Sequence, residues 1–264
     1  MDKFILSFFF SFLLSLFGFG QIKSLVVKDS FPHVVAKLSL DRLNQLYMVT
    51  KDDHHLLKLN EDMSLNQSLA SPFLSPFIHL DVSDPMKILI FYPEYSSVQI
   101  LDESLGLLSD DYYSDFNTES SICYFSTAQF CYFANNRIHL KNIQDLKVRS
   151  GEPIYYTKNT KYKINQIRSD AQWIYLLIPG SGIWIYNNFL IEEYKLTDEE
   201  ITQMDVLNGH LYFVKSNQIY EWKPGKSTPK VVLSSKFEII DFALNQNYLV
   251  LATPKKIKRY WIKK

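Results

Sequence analysis

The sequence lacks most of the local signals that mark enzymes, nucleic-acid binders and helical membrane proteins. It contains no G-x-S-x-G elbow and no H-E-x-x-H pair, so the signatures of α/β-hydrolases and zinc proteases are missing. Net charge is zero, with 28 Lys and Arg against 28 Asp and Glu, and a chain without a global positive field is a poor general binder of nucleic acid. The 2 cysteines are too few to make a metal site of their own. Beyond the N-terminal segment, no apolar run approaches the roughly 20 residues that a helix needs to cross a bilayer. Glycine is scarce at 8 residues, whereas 17 Tyr, 19 Phe and 4 Trp supply ample material for a core.

The N-terminal segment, MDKFILSFFFSFLLSLFGFGQ, has Lys3 near its start, an apolar run from Phe4, and small residues Gly18 and Gly20 before Gln21. That is the pattern of a signal peptide over 1–20, cut after Gly20. The competing reading is an N-terminal membrane anchor; against it, the run ends in Gly-Phe-Gly and the next basic residue is Lys23. No Cys follows the small residues, which argues against a lipoprotein. The expectation is export to the periplasm and a single domain over 21–264.

Trp173 to Asn188 reads WIYLLIPGSGIWIYNN: two apolar runs around a Pro-Gly-Ser-Gly break. Pro179-Gly180 would break a helix here, and the flanking Trp, Ile, Tyr and Leu suit a pleated surface, so the stretch reads as a β-hairpin buried on both faces. Partial echoes of it begin at Leu46, Ile88, Phe130, His210 and Tyr248. A repeat of about 40 residues built from strand-type units is the signature of a β-propeller blade. Apolar segments before the hairpins, such as FIHLDV, INQIRSD, ITQMDV and EIIDFAL, supply the innermost strands. Segments after them, such as PIYYTK, FLIEEYKL and PKVVLSS, supply the outermost ones.

The reading is therefore all-β: a six-bladed propeller of four-stranded blades. The last blade ends at Tyr260-Trp261-Ile262 with no chain left for its outer strand, while IKSLVVKD (Ile22 to Asp29) has no other place. Pairing the two closes the ring, with Ile22, Leu25 and Val27 beside Ile257 to Trp261, and removes an exposed edge. These repeats resemble six-bladed propellers of the NHL and TolB-like kind. The stretch LDVSDPMKILIFYPEYSSVQILDESL, Leu80 to Leu105, resembles propellers of Bacteroidota envelopes, some of them linked to outer-membrane or type 9 secretion machinery. The resemblance implies no catalytic residues.

Propeller ligands usually meet the loops that join outer to inner strands and those between second and third strands. The second set includes KDDHH with Asp52, Asp53, His54 and His55, then PEYSS with Glu94 and Tyr95. The first set includes SDDYYSDF, with Asp110, Asp111, Tyr112, Tyr113 and Asp115. Asp52 to His55 are metal-ligand types, but neighbours on a tight turn point in different directions, which favours a solvated turn over a metal site. Propeller lactonases resemble this architecture and hold a central metal with carboxylates and amides; no loop pattern here singles out such a set. The acid-and-tyrosine loop suits a protein or glycan contact, with a solvated connection as the plain alternative. Asp81 and Asp241 lie at the same distance before their second strands, with Asp41, Asp170 and Asp205 nearby in other blades. That repetition favours turn-bonding, structural carboxylates over catalytic ones.

Cys123 and Cys131, in SICYFSTAQFCYF, either form a disulfide across a hairpin or are two buried thiols on different blade faces; register decides. Charge is unevenly placed: residues 101–120 hold six acids and no base, and residues 251–264 hold six bases and no acid. Such blocks solvate a surface and also steer a partner. The functional expectation is a non-enzymatic periplasmic scaffold or adaptor with envelope protein partners and no cofactor. The competing classes are a hydrolase or lyase, or a glycan or small-ligand binder, with a site in the central funnel.

Overall fold

The computed structural model describes residues 24–31, 35–51, 55–71, 73–74, 78–156, 165–170, 172–226 and 228–263. The segment read as a signal peptide, Ile22, and the turn residues Asp52, Asp53 and His54 lie outside them.

After β1 (Ser24–Phe31), blade 1 is formed by β2 (Val35–Leu40), β3 (Leu46–Thr50), β4 (His55–Leu59) and β5 (Leu65–Ala70). Blade 2 follows as β6 (His79–Asp81), β7 (Ile88–Tyr92), β8 (Ser97–Leu101) and β9 (Leu107–Tyr112), with a 3₁₀ turn over Pro93–Tyr95. Blade 3 holds β10 (Ser121–Ser126), β11 (Gln129–Ala134), β12 (Arg137–Asn142) and β13 (Val148–Ser150). In blade 4 the strands are β14 (Gln166–Ser169), β15 (Trp173–Ile178), β16 (Gly182–Asn187) and β17 (Glu192–Leu196). Blade 5 contains β18 (Gln203–Leu207), β19 (His210–Lys215), β20 (Gln218–Trp222) and β21 (Lys230–Ser234). Blade 6 has β22 (Asp241–Leu244), β23 (Tyr248–Ala252) and β24 (Ile257–Lys263), and its fourth strand is β1.

This is the six-bladed, four-stranded ring expected from the repeats, closed as expected. Leu25 pairs with Ile262 and Val27 with Tyr260. The second strands begin at Leu46, Ile88, Gln129, Trp173, His210 and Tyr248, which are the repeat positions read from the sequence to within one residue. One outer strand differs. In blade 3 it is β13, Val148–Ser150, and not PIYYTK, whose residues 153–156 carry no strand and leave Tyr155 exposed. The pairing His139↔Ser150, Leu140↔Arg149 uses the polar segment nearest the turn, where side-chain apolarity carries no weight because the outer edge is solvated.

Side-chain alternation explains the continuous apolar runs. On β3, Tyr47 and Val49 pack against Leu80, Ile88 and Ile90 of blade 2, while Leu46 and Met48 pack against Val250 and Ala252 of blade 6. Phe91 and Tyr132 meet between blades 2 and 3, and Phe133 and Leu176 between 3 and 4. Tyr175 meets Phe213 between blades 4 and 5, and Tyr212 meets Leu249 between 5 and 6. Both faces of each inner sheet are thus covered, as a two-sided apolar strand requires.

The quoted hairpin turns tightly at Gly182, where φ is +106° and a Cβ would collide with the Leu196 carbonyl oxygen and sit 2.8 Å from Asp198 N. Gly182→Ala is expected to cost about 1–3 kcal/mol, the range for one strained backbone position. Gly209→Ala, at φ +74° with nothing nearer than Asp170 Oδ2 at 4.0 Å, measures backbone strain without collision. Equal melting temperatures for the two variants would sink the steric argument.

Candidate functional site

The inner strands run alongside one another around the ring axis, and polar residues on them tie neighbouring blades together at five of the six junctions. Asp81 Oδ2 of blade 2 accepts from Tyr124 N of blade 3 at 2.7 Å. Ser121 Oγ of blade 3 accepts from Ile167 N of blade 4 at 3.0 Å, and Gln166 Oε1 of blade 4 from Met204 N of blade 5 at 3.0 Å. Asp205 Oδ2 of blade 5 accepts from Leu244 N of blade 6 at 3.2 Å, and Asp241 Oδ2 of blade 6 from Leu38 N of blade 1 at 2.7 Å. A backbone N–H buried between sheets must find an acceptor, and these side chains provide it. Asp41 and Asp170 do a different job: each caps its own turn, at Leu43 N and Gln45 N, and at Trp173 N and Gln172 N. The structural reading of these aspartates therefore holds for the turn at Asp41 and Asp170. At Asp81, Asp205 and Asp241 the carboxylate also reaches the neighbouring blade.

At the end of the axis marked by the turns between first and second strands lies a cavity of about 300 Å³, lined by residues 39–42, 80–83, 168–169, 205–207 and 244–247. The face is opposite to the one carrying the loops expected to bind. Asp41, Asp81 and Asn245 hold three of the turns at the cavity rim, accepting from Leu43 N, Ser83 N and Tyr248 N. Arg168, on the same face of β14 as Gln166, reaches Asp205 with Nε 3.8 Å from Oδ1. Their side chains keep 18% and 21% of their surface open, a narrow solvent contact for groups otherwise ringed by protein. Burial opposes the charge on Arg168, but Asp205, Asp81 and Asp241 outweigh it and raise its pKa. Burial pushes Asp205 up to about 6 against the lowering pull of Arg168, and burial likewise raises Asp241 against Lys37.

Deeper along the same shaft, His79 bonds Ser121 Oγ through Nδ1 at 2.9 Å, and its Nε2 is buried with no hydrogen-bond partner among the described residues. Burial, then the positive charges of Lys37 and Arg168, hold its pKa well below the usual histidine range. The imidazole is neutral at physiological pH. Among the described residues, no group of three or more His, Cys, Asp and Glu is placed to hold a metal.

The loop residues singled out in the sequence divide. His55 opens β4 and donates its N–H to Thr50 Oγ1 at 3.0 Å. Asp110, Asp111 and Tyr112 belong to β9 and not to a loop; only Tyr113 and Asp115 lie in the connection. Asp110 accepts from Ser97 Oγ at 2.7 Å and Gln99 Nε2 at 2.9 Å, so cross-strand bonding extends the strand through an acidic stretch. Tyr113 turns inward, stacked on Phe116 at 4.7 Å under Lys141, and burial raises its pKa to about 12. Phe116 anchors that connection edge-on against Phe91.

Facing outward, a chain of contacts through Tyr92 links part of the remainder. Tyr95 meets the ring of Phe73 at 5.1 Å, Phe73 meets Tyr92, and Tyr92 donates to Gln99, which bonds Asp110 on the same face of β9 as Tyr112. Phe73, Tyr95 and Tyr112 are 49%, 50% and 74% exposed, with exposed Glu94 next to Tyr95 and exposed Asp110 on the Tyr112 face, while Asp111 and Asp115 lie toward Tyr113 and blade 3. Cys123 and Cys131 are partners in register between β10 and β11, so they share one face and one core cluster; the reading that put them on different faces is wrong. Both are free thiols, and burial followed by the neighbouring Cys123 pushes the Cys131 thiol well up.

The ring, its axial cavity and its blade-to-blade hydrogen bonds define a six-bladed β-propeller. No protein-family model matches the chain, and no curated protein matches it in sequence. Solved structures similar in fold include a streptogramin B lyase, with TM-score 0.63 and 13% identity over 92% of this chain and 100% of that one. A structural-genomics protein from Bacteroides thetaiotaomicron VPI-5482 has TM-score 0.64 and 9% identity over 89% of this chain and 77% of its own. BamB from Moraxella catarrhalis has TM-score 0.51 and 8% identity over 87% and 86%. At such identities the likeness is one of fold alone. Among the described residues, no helix is long and apolar enough to cross a membrane.

Proposed function

We propose that the chain is a non-enzymatic propeller that works in the periplasm as a protein-interaction scaffold or adaptor, within an outer-membrane or secretion complex of a Bacteroidota-type envelope. The observation that carries this reading is the aromatic surface of blade 2, where Phe73, Tyr95 and Tyr112 stand exposed among acids. Tyrosine and phenylalanine of this kind are typical anchors at protein interfaces, and an acidic rim selects a basic partner surface. The carboxylates at the axis, by contrast, are engaged by backbone N–H groups, as structural acceptors are.

Fold does not choose between binding and catalysis. A lyase acting at the axis is the second reading, since streptogramin B lyase shares the architecture. Native extraction from envelopes separates the two. The scaffold reading expects the chain to migrate with partners, and Tyr95→Ala combined with Tyr112→Ala to reduce their recovery at least about tenfold, as loss of interface anchors does, with melting unchanged. Migration alone at monomer mass would remove the scaffold reading. Intact complexes with the double variant would remove the blade 2 surface from it.

A further inference from the structure

The carboxylates at the axial mouth have their donors, but its arginine does not have its acceptors. Asp81 takes Ser83 N on Oδ1 at 2.8 Å and Tyr124 N on Oδ2. Asp205 takes Val206 N on Oδ1 at 2.9 Å and Leu244 N on Oδ2. Asp41 is filled by its own turn and by the Tyr47 hydroxyl. Arg168 donates through Nη1 to the Ile167 carbonyl at 3.2 Å. Its Nε lies 3.8 Å from Asp205 Oδ1, beyond hydrogen-bond reach, and among the described residues nothing accepts from Nη2. The Nε–H and Nη2–H bonds of a guanidinium point the same way, and that edge matches the two oxygens of a carboxylate.

We propose that the Nε/Nη2 edge of Arg168, with Arg42 at the rim, receives the carboxylate of a small organic acid or of a peptide C-terminus entering the axial mouth. The cavity, about 300 Å³, is at the lower end of the size range of small-molecule sites. Ser169 and Asn247 line it and supply partners for hydroxyl or amino groups on the rest of the ligand. Charge at the mouth is mixed. Lys37, Arg42 and Arg168 stand against Asp41, Asp81, Asp205 and Asp241, so an added carboxylate meets no net excess of either sign by more than one charge. The carboxylate it approaches most closely is Asp205. That residue is faced by Arg168 on β14 and by Asp241 and the Leu244 N–H on β22, and burial already favours its protonated form. Binding therefore takes up a proton at Asp205 and tightens as pH falls.

Calorimetry on the intact chain tests this with succinate, citrate, and a tripeptide offered both as the free acid and as the C-terminal amide. The expected result is millimolar or tighter binding of an acid probe, at least about tenfold stronger near pH 5 than near pH 8. Binding of succinate or citrate identifies a free organic acid as the source; binding of the tripeptide acid but not its amide identifies a chain terminus. Ser83→Trp, at an exposed position on the rim, should block the mouth and abolish binding without changing melting. Arg168→Lys keeps the charge but loses the paired edge, and should weaken binding about tenfold. If no acid binds, or if Ser83→Trp binds like the unaltered chain, the proposal is wrong.

Discussion

Deletion of Ser24–Phe31 is expected to leave a protein that aggregates or melts far below the intact chain. β1 is the fourth strand of blade 6, paired along its length from Ser24↔Lys263 to Phe31↔Ile257. Leu25 packs against the cluster between blades 5 and 6. The Lys28 ammonium donates to the Tyr248 hydroxyl at 3.1 Å and sits over the Tyr248 and Trp261 rings. That hydroxyl in turn donates to Glu61 of blade 1 at 2.7 Å, so the strand also braces the contact between the last blade and the first. Its removal bares β24 as an open edge, which invites pairing with other chains. The loss should be of the order of the whole 5–15 kcal/mol margin of a typical domain. Size-exclusion and calorimetric scans of the truncated chain check this, with removal of Lys263 and Lys264 as the mild control. A monomer that melts like the intact chain would show that β1 does not hold the ring.

Arg168→Met should be the most damaging single substitution. One cation serves Asp205, Asp81 and Asp241 from three different blades, and Met fills similar volume without charge. Removing one partner from a buried ionic cluster typically costs about 3–5 kcal/mol, because the remaining charges stay behind. The pH dependence separates this from lost packing. Asp205 titrates at about 6 in the fold against a reference value of 3.8, so the fold holds its proton more tightly than the unfolded chain does. Its contribution to stability is fully present below the reference value and is lost as pH rises through about 6. Without Arg168 the pull that lowers this value disappears, and the window moves upward. Denaturant unfolding should therefore show a smaller gap between variant and unaltered chain near pH 5 than near pH 8. An equal gap at both would refute the electrostatic account.

The blade count and ring closure were legible because second strands are buried on both faces. That burial forces recurring apolar runs at Leu46, Ile88, Trp173, His210 and Tyr248 that composition alone exposes. Outer strands were less legible. β13 and β9 are exposed along most of their length, and their residues, VRS and LLSDDY, carry no burial pattern to detect. Repetition of aspartate in the inner strands was visible, but its reach was not. Asp241 and Leu38 lie 203 positions apart, and only the ring brings them within bonding distance. Arg168 gave no signal at all, since a lone arginine in QIRS looks like any strand residue until three other blades place carboxylates around it. A polar acceptor recurring on five of the six innermost strands, whether Asp, Ser or Gln, was the trace that could have led there.

Five hydrogen bonds between inner strands run in one sense, from an acceptor side chain on one blade to an N–H on the next, starting at blade 2 and ending at blade 1. The bond from Asp241 to Leu38 crosses the junction of the chain's ends in the same way as those inside it. The junction between blades 6 and 1 is thus bonded like the four that run from blade 2 to blade 6. Ser24 and Lys263 are neighbours in register, so the ends of the two strands that close blade 6 already meet. A circular permutant that joins Ser24 to Lys263 and opens at an exposed turn would keep all five of these bonds.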